Sequence, residues 1–289
     1  MAETYGTVTD AYYTPFLRIE KGRVSNHGLR DALSPLNQGI PVIPQIIFNT
    51  SGEFTALTSE LKAAGITRID LNLGCPFPLQ VRKGRGAGLL SRPKIINEVM
   101  QLIAADTGTT YSVKMRLGID SPRQWQQIMP ILNDTPLGHI TVHPRTADQQ
   151  YGGEIDMEQF ARIYAATPHP LIYNGDLTTA GSITTITEAF PALKGIMAGR
   201  GLLGRPSLAC EWRSGTTMSR SERLARIEHL HTRFSELIAP RLCGDSQLLM
   251  KLKPFWNYLE DEIGHRNFKT ISKARNIESY KAAVAAALS

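Results

Sequence analysis

The sequence predicts an α/β fold: a (β/α)8 TIM barrel in which seven strands can be identified, followed by a small C-terminal helical bundle. Three observations lead there. Short β-branched or aromatic runs alternate with amphipathic helical segments as far as Ala209, and strands and helices in strict turn imply a buried parallel sheet. Beyond Ala209 only helical periodicity remains. Polar side chains also recur where successive strands end, on the face where barrels assemble their sites.

Strands are expected over residues 10–16, 41–47, 68–73, 110–116, 139–143, 170–174 and 193–198, one fewer than a closed barrel needs. Between them, residues 54–64, 93–105, 122–132 and 157–166 place apolar side chains at spacings of three and four, the signature of helices with one buried face. Helices are then predicted over 220–238, 247–263 and 269–288, after a polar, glycine-containing linker near residues 213–217. This suggests a barrel domain over 1–215 and a helical domain over 216–289.

With 289 residues and 42% hydrophobic content the chain can bury a substantial core. Its three cysteines, Cys75, Cys210 and Cys243, are too few and too far apart for a disulfide framework or a Cys-x-x-Cys metal site. No apolar run of about 18 residues and no basic-then-apolar leader occurs, so a soluble cytoplasmic protein without a membrane partner is expected. The net charge of +6 is unevenly spread: 12 Lys/Arg face 8 Asp/Glu from Ser219 onward, against 20 and 18 before it. Arg266, Lys269, Lys273, Arg275 and Lys281 stand with Glu278 alone between Ile263 and Lys281, a pattern that suits either a solvated helix face or a polyanion such as nucleic acid.

A lone cysteine is more often a small buried hydrophobe than a reactive group. Cys75 is different because Asn72, Gly74 and Pro76 suit the exposed end of a strand and not its core. Gly84, Gly86 and Gly88 follow, with a spacing that excludes a dinucleotide-binding Gly-x-Gly-x-x-Gly, and are expected to give the loop mobility around Cys75.

Lys114 and Arg116 end one strand, His143 and Arg145 the next, and Asn174-Gly175-Asp176 and Gly199-Arg200-Gly201 the last two. Glycine and arginine after the final strands make a standard phosphate site, since backbone N–H groups approach closely and a guanidinium forks onto phosphate oxygens. A lysine and a histidine from neighbouring strands could face the electron-rich end of a flavin. No carboxylate–histidine cluster at metal spacing is present.

These motifs resemble the tRNA-dihydrouridine synthase family. The resemblance rests on Asn72, Gly74, Cys75 and Pro76; on Val81, Gly84, Gly86, Ala87, Leu89 and Leu90; on Lys114, Arg116 and Gly118; on His143, Arg145, Thr146 and Tyr151; and on the Asn-Gly-Asp and Gly-Arg-Gly elements. The tail, with Lys251, Lys253 and the Phe255–Leu259 stretch, is similar to the family's helical RNA-binding domain.

The resemblance implies an FMN enzyme that uses NADPH to reduce the C5–C6 bond of a uridine in tRNA, with the Cys75 thiol protonating C5. It implies FMN contacts from Gln45, Lys114, His143, Asn174, Asp176, Gly199 and Arg200. Asn72, Arg116, Arg145 and Tyr151 would lie near the substrate nucleotide, and Lys251, Lys253, Arg266, Lys269 and Lys273 on tRNA. Alternatives are an FMN-barrel dehydrogenase of free pyrimidines and a non-catalytic RNA-binding remnant. The family's opening strand, with its Pro-Met-x-Gly-like FMN contact, has no counterpart here. The natural gene product is therefore expected to begin upstream, by about 30–40 residues, the length of a strand, loop and helix.

Overall fold

The computed structural model describes every residue from Met1 to Ser289. Strands follow in the order β1 (Tyr12–Tyr13), β2 (Ile19–Glu20), β3 (Arg23–Val24), β4 (Val42–Ile43), β5 (Gln45–Ile46), β6 (Arg68–Leu73), β7 (Thr110–Gly118), β8 (His139–Thr146), β9 (Leu171–Tyr173) and β10 (Gly195–Ile196). β2 and β3 form a small antiparallel hairpin. The others pair in parallel: β1 with β4, and β5 through β10 each with the next in sequence.

All seven expected strands are present in that succession. The strand expected over 41–47 is split into β4 and β5 at Pro44, which lacks a ladder donor but still accepts from the Asp70 N–H at 2.9 Å. The first strand likewise pairs over only two residues before Pro15, then resumes as a single bridge from Leu17 to Ile46. No ladder joins β10 to β1: the parallel strands form a six-stranded sheet, β5 to β10, and a two-stranded one, β1 with β4, and the Leu17–Ile46 bridge links the first strand to β5.

Two compact units can be distinguished. One contains Asp10–Gly175 and Ala189–Met197, and with them every strand. The other contains Met1–Thr9, Asp176–Glu188 and Ala198–Ser289, so it takes in segments that precede residue 216 as well as the predicted helical domain.

In the strand-bearing unit the two faces of the sheet differ in chemistry. Ile69, Leu71, Leu73, Tyr111, Val113, Met115, Leu117, Ile140 and Val142 point to one side and are buried. The alternate positions carry Asp70, Asn72, Ser112, Lys114, Arg116, Thr141, His143 and Arg145. Period-two alternation puts these polar groups on the opposite face. A row of buried polar side chains in a parallel sheet is costly unless paired or engaged by a ligand. The helices cover the apolar side: Ser51–Ala63 starts at Thr50, whose hydroxyl accepts from Glu53 N, and buries Phe54, Leu57 and Leu61. Pro93–Ala104 begins with proline, as the first helical turn permits, and buries Ile96, Val99, Met100 and Ile103. The helix expected over 122–132 is instead a 3-10 turn, Gln124–Gln127, and a short helix, Met129–Asn133, with Pro130 at the restart.

No helix is long and apolar enough to cross a membrane. In the second unit, helix Arg220–Ile238 has the predicted bounds and a capping box in which Ser219 and Glu222 satisfy each other's backbone N–H groups. The other two predicted helices are broken. Pro254 turns residues after Leu252 into the 3-10 segment Lys253–Trp256, followed by Glu260–Ile263. The predicted 269–288 helix divides into His265–Lys273 and Ile277–Leu288, because Asn276 leaves helical geometry to cap the second. These helices enclose Trp256, Ile263, Ile271 and Tyr280, with Trp256 Nε1 donating to Tyr280 Oη at 2.8 Å.

Candidate active site

The C-terminal end of β6 delivers Cys75, and its loop is held from two sides. Asn72 turns its Oδ1 onward to accept from Gly74 N at 3.1 Å and Cys75 N at 2.8 Å. From the other side, Ala87 N donates to the Cys75 carbonyl at 3.1 Å, and Gly86 sits so close that a Cβ there would lie 2.7 Å from Cys75 Cβ. Gly86 has φ +58° and starts the 3-10 segment Gly86–Ser91, which is buried as far as Leu90. The expectation that these glycines make the loop mobile is therefore corrected: they allow close packing. Gly88 shows the same, since a Cβ there would fall 2.5 Å from the Val81 carbonyl. Cys75 itself remains partly exposed.

Behind Asn72 lies a buried polar chain that joins two expected site residues, Asn72 and Gln45, to two that no sequence motif marks, Asp70 and Ser112. Asn72 Nδ2 donates to Gln45 Oε1 at 2.6 Å, Gln45 Nε2 to Asp70 Oδ2 at 2.7 Å, and Ser112 Oγ to Asp70 Oδ1 at 2.5 Å. Burial pushes the Asp70 carboxyl up to about 6, opposed by the bonds from Ser112 and Gln45 and by nearby Lys114. The signal in the sequence was the period of two: Asp70 precedes Asn72, and Ser112 precedes Lys114, by one same-face step.

Lys114 is half-buried and its ammonium has no hydrogen-bond acceptor within the chain. Desolvation lowers it to about 8, resisted by Asp70 and Cys75 and assisted by Arg116. Thr141, its cross-strand partner, has a buried hydroxyl without a partner. A charged donor and a buried hydroxyl side by side suit a polar ligand on this face.

Pro144 lies inside β8, and the register slips between the Arg116–His143 and Gly118–Thr146 pairs. Such a bulge re-aims the side chains around it. Arg116 donates to the Thr146 carbonyl at 2.7 Å and its guanidinium stands 5.5 Å from the centre of the exposed Tyr151 ring. Arg145 donates to the Gly153 carbonyl at 2.7 Å and contacts His143 Nε2 at 3.2 Å. A guanidinium only donates, so Nε2 is the acceptor in this contact. Asn174 Nδ2 donates to the Met197 carbonyl at 2.8 Å, which ties the end of β9 to the end of β10.

The site residues predicted from sequence are thus divided. Gln45, Asn72, Cys75, Lys114, Arg116, His143, Arg145, Tyr151 and Asn174 belong to the strand-bearing unit. Asp176, Gly199 and Arg200 belong to the other, where Arg200 bonds Asp176 Oδ1 at 3.2 Å and Asp176 has φ +44°. There Gly201 permits an approach no side chain could tolerate, with a built Cβ 1.8 Å from the Leu177 carbonyl. In the same unit Arg266, Lys269 and Lys273 lie exposed on one helix, and Lys251 is exposed nearby in sequence. Lys253 instead donates to the Ser272 carbonyl at 3.0 Å.

The sequence profile of the family described as dihydrouridine synthase (Dus) matches residues 3–285. The chain belongs to the dihydrouridine synthase family. It is 30% identical over 167 residues to a protein of Synechocystis named probable tRNA-dihydrouridine synthase 1, an alignment covering 57% of this chain and 47% of that protein. A probable tRNA-dihydrouridine synthase of Helicobacter pylori is 33% identical over 157 residues, covering 53% and 46%. Among solved structures, a variant of NCR from Zymomonas mobilis aligns with a TM-score of 0.47 and 14% identity, over 65% of this chain and 68% of that one. This dihydrouridine synthase family member spans about half the length of the first two relatives.

Proposed function

We propose that this chain carries out the FMN-dependent, NADPH-driven reduction of the C5–C6 double bond of a uridine in tRNA. The observation that supports it most is the presentation of a partly exposed Cys75 beside a sheet face of buried polar side chains, on a loop fixed at both of its flanks.

The residues present fit FMN. Lys114 offers a cation with no acceptor in the chain and Thr141, its cross-strand partner, an unpartnered hydroxyl. Gln45 keeps one N–H and one lone pair beyond its bonds to Asp70 and Asn72. With these, Asn174 of the same unit is proposed to hold the cofactor. Bound there and reduced by NADPH, FMN supplies the hydride that uracil C6 receives.

The chain's own part is the proton. Hydride arrival at C6 leaves the C5 side carbanion-like, so an acid must stand at that carbon as the charge develops. Cys75 gives its S–H proton to C5, forming the second new C–H bond, and solvent water returns a proton to the resulting thiolate. Asn72 contributes by holding the Cys75 loop, Arg116 and Tyr151 by contacting the nucleotide. Arg145, itself buried, fixes the neighbouring turn by donating to the Gly153 carbonyl. The uridine must leave its stack to reach such a site, at a cost of a few kcal/mol that contacts from the basic helices to phosphates offset.

The test is turnover of two substrates by the purified chain supplied with FMN and NADPH under anaerobic conditions. Unmodified tRNA should be reduced and free uracil should not. Reduction of free uracil alone would favour a pyrimidine dehydrogenase, and failure to retain a yellow chromophore would remove the flavin chemistry.

A further inference from the structure

We propose that Asp70 is a positioning residue for Cys75, acting through the side-chain amides of Gln45 and Asn72. Its effect on turnover rests on Cys75 being the proton donor; its effect on the loop does not.

The four side chains of the relay are all at least nine-tenths buried: Asp70 at 0% exposed, Ser112 at 4%, Gln45 at 7% and Asn72 at 7%. Gln45, Asp70 and Ser112 are direct cross-strand partners on β5, β6 and β7, so three backbones in register hold them in line. Asn72 follows Asp70 by one same-face step.

A side-chain amide can sit in two orientations, with oxygen and nitrogen exchanged. Here both ends of the chain demand the same one. The N–H groups of Gly74 and Cys75 can only donate, so Asn72 must turn Oδ1 toward them and Nδ2 toward Gln45. An ionised Asp70 can only accept, so Gln45 must turn Nε2 toward it and Oε1 toward Asn72. The polarity is therefore set independently from the sheet interior and from the catalytic loop, and the two settings agree. Without an acceptor at position 70 the Gln45 amide has no buried partner for its donor, and the oxygen that anchors Asn72 is free to swing.

The experiment reads the loop directly, through the rate at which iodoacetamide alkylates Cys75 in the full chain, followed by mass spectrometry of the Cys75 peptide because Cys210 and Cys243 are also free thiols. Asp70→Ala should change that rate at least fivefold, and Gln45→Met, which cuts the relay in its middle, should do the same. The double variant should differ no more than either single one, since both remove one linkage. Asp70→Asn should stay within twofold of the parent: its amide oxygen can accept from Gln45 while its nitrogen donates to Ser112 Oγ. If Asp70→Ala does not fold, Gln45→Met and Asp70→Asn still decide. An unchanged rate in Gln45→Met, multiplied effects in the double variant, or an Asp70→Asn rate shifted fivefold or more would each overturn the proposal. None of these outcomes depends on whether tRNA is the substrate, so a failure of the activity and a failure of the relay are read separately.

Discussion

Gly86 lies directly against Cys75, and a Cβ at position 86 would stand 2.7 Å from the Cys75 Cβ and 2.9 Å from its carbonyl oxygen. Backbone is on the receiving side, so nothing flexible can yield. The contact turns a glycine-rich stretch that reads as a hinge into the wall that sets the height of the thiol.

Gly86→Ala is accordingly expected to destabilise the protein by about 1–3 kcal/mol, combining overpacking with the strain of a positive φ. Cys75 should be displaced as well. Thermal melting and the Cys75 alkylation rate measure the two effects; a melt within a degree of the parent and an unchanged rate would show that the loop relaxes without consequence.

Lys114 gives the site a pH dependence. Burial lowers it to about 8, so its charge is present below that pH and lost above it. Affinity for FMN, whose electron-rich end the ammonium is proposed to face, should fall as pH rises through 8, and Lys114→Met should bind weakly with no such step. Flavin fluorescence titrations from pH 6 to 10 would show it. For stability the sign is different: between pH 8 and 10.5 the unfolded chain binds the proton more readily, so the destabilisation from burying Lys114 fades as pH rises across that window.

The basic helix His265–Lys273 carries Arg266, Lys269 and Lys273 on exposed positions. Replacing all three by Ala should flatten the plot of log affinity for tRNA against log salt by roughly 2–3, at about 0.7–0.9 per phosphate contact. Flavin content should not change. A salt slope equal to that of the parent would identify this face as merely solvated.

Trp256 is fully buried among helices of the second unit. Trp256→Ala should destabilise that core by about 3–5 kcal/mol. Chemical denaturation followed by circular dichroism checks it, and a loss below about 1 kcal/mol would mean that the helices repack around the gap.

The seven strands were legible because β-branched runs bounded by glycine and proline leave few alternatives, but their lengths were not: the first two are cut at Pro15 and Pro44, where a donor is missing, β7 and β8 run on to Gly118 and Thr146, and β10 pairs over Gly195–Ile196 alone. The broken helices after Leu252 and Lys273 hinge on single residues, Pro254 and Asn276, whose caps periodicity alone does not weigh. Cys75 stood out through its neighbours. Asp70 did not, because an acidic residue inside a strand shows its partners only once β5 and β7 are in register beside it. The grouping of Asp176–Glu188 with the C-terminal segment was equally beyond reach, since it is a property of contacts distant in sequence.

Whether Cys75 protonates a tRNA uridine is decided by the mass of nucleosides from unmodified tRNA after reaction with the parent and with Cys75→Ala, both supplied with FMN and NADPH. The parent should convert one uridine to a product two hydrogens heavier. Cys75→Ala should do so roughly 10²–10⁴-fold more slowly, the range expected on losing a general acid, while still binding FMN and oxidising NADPH with oxygen. Equal rates of uridine reduction in the two proteins would remove Cys75 from the proton transfer.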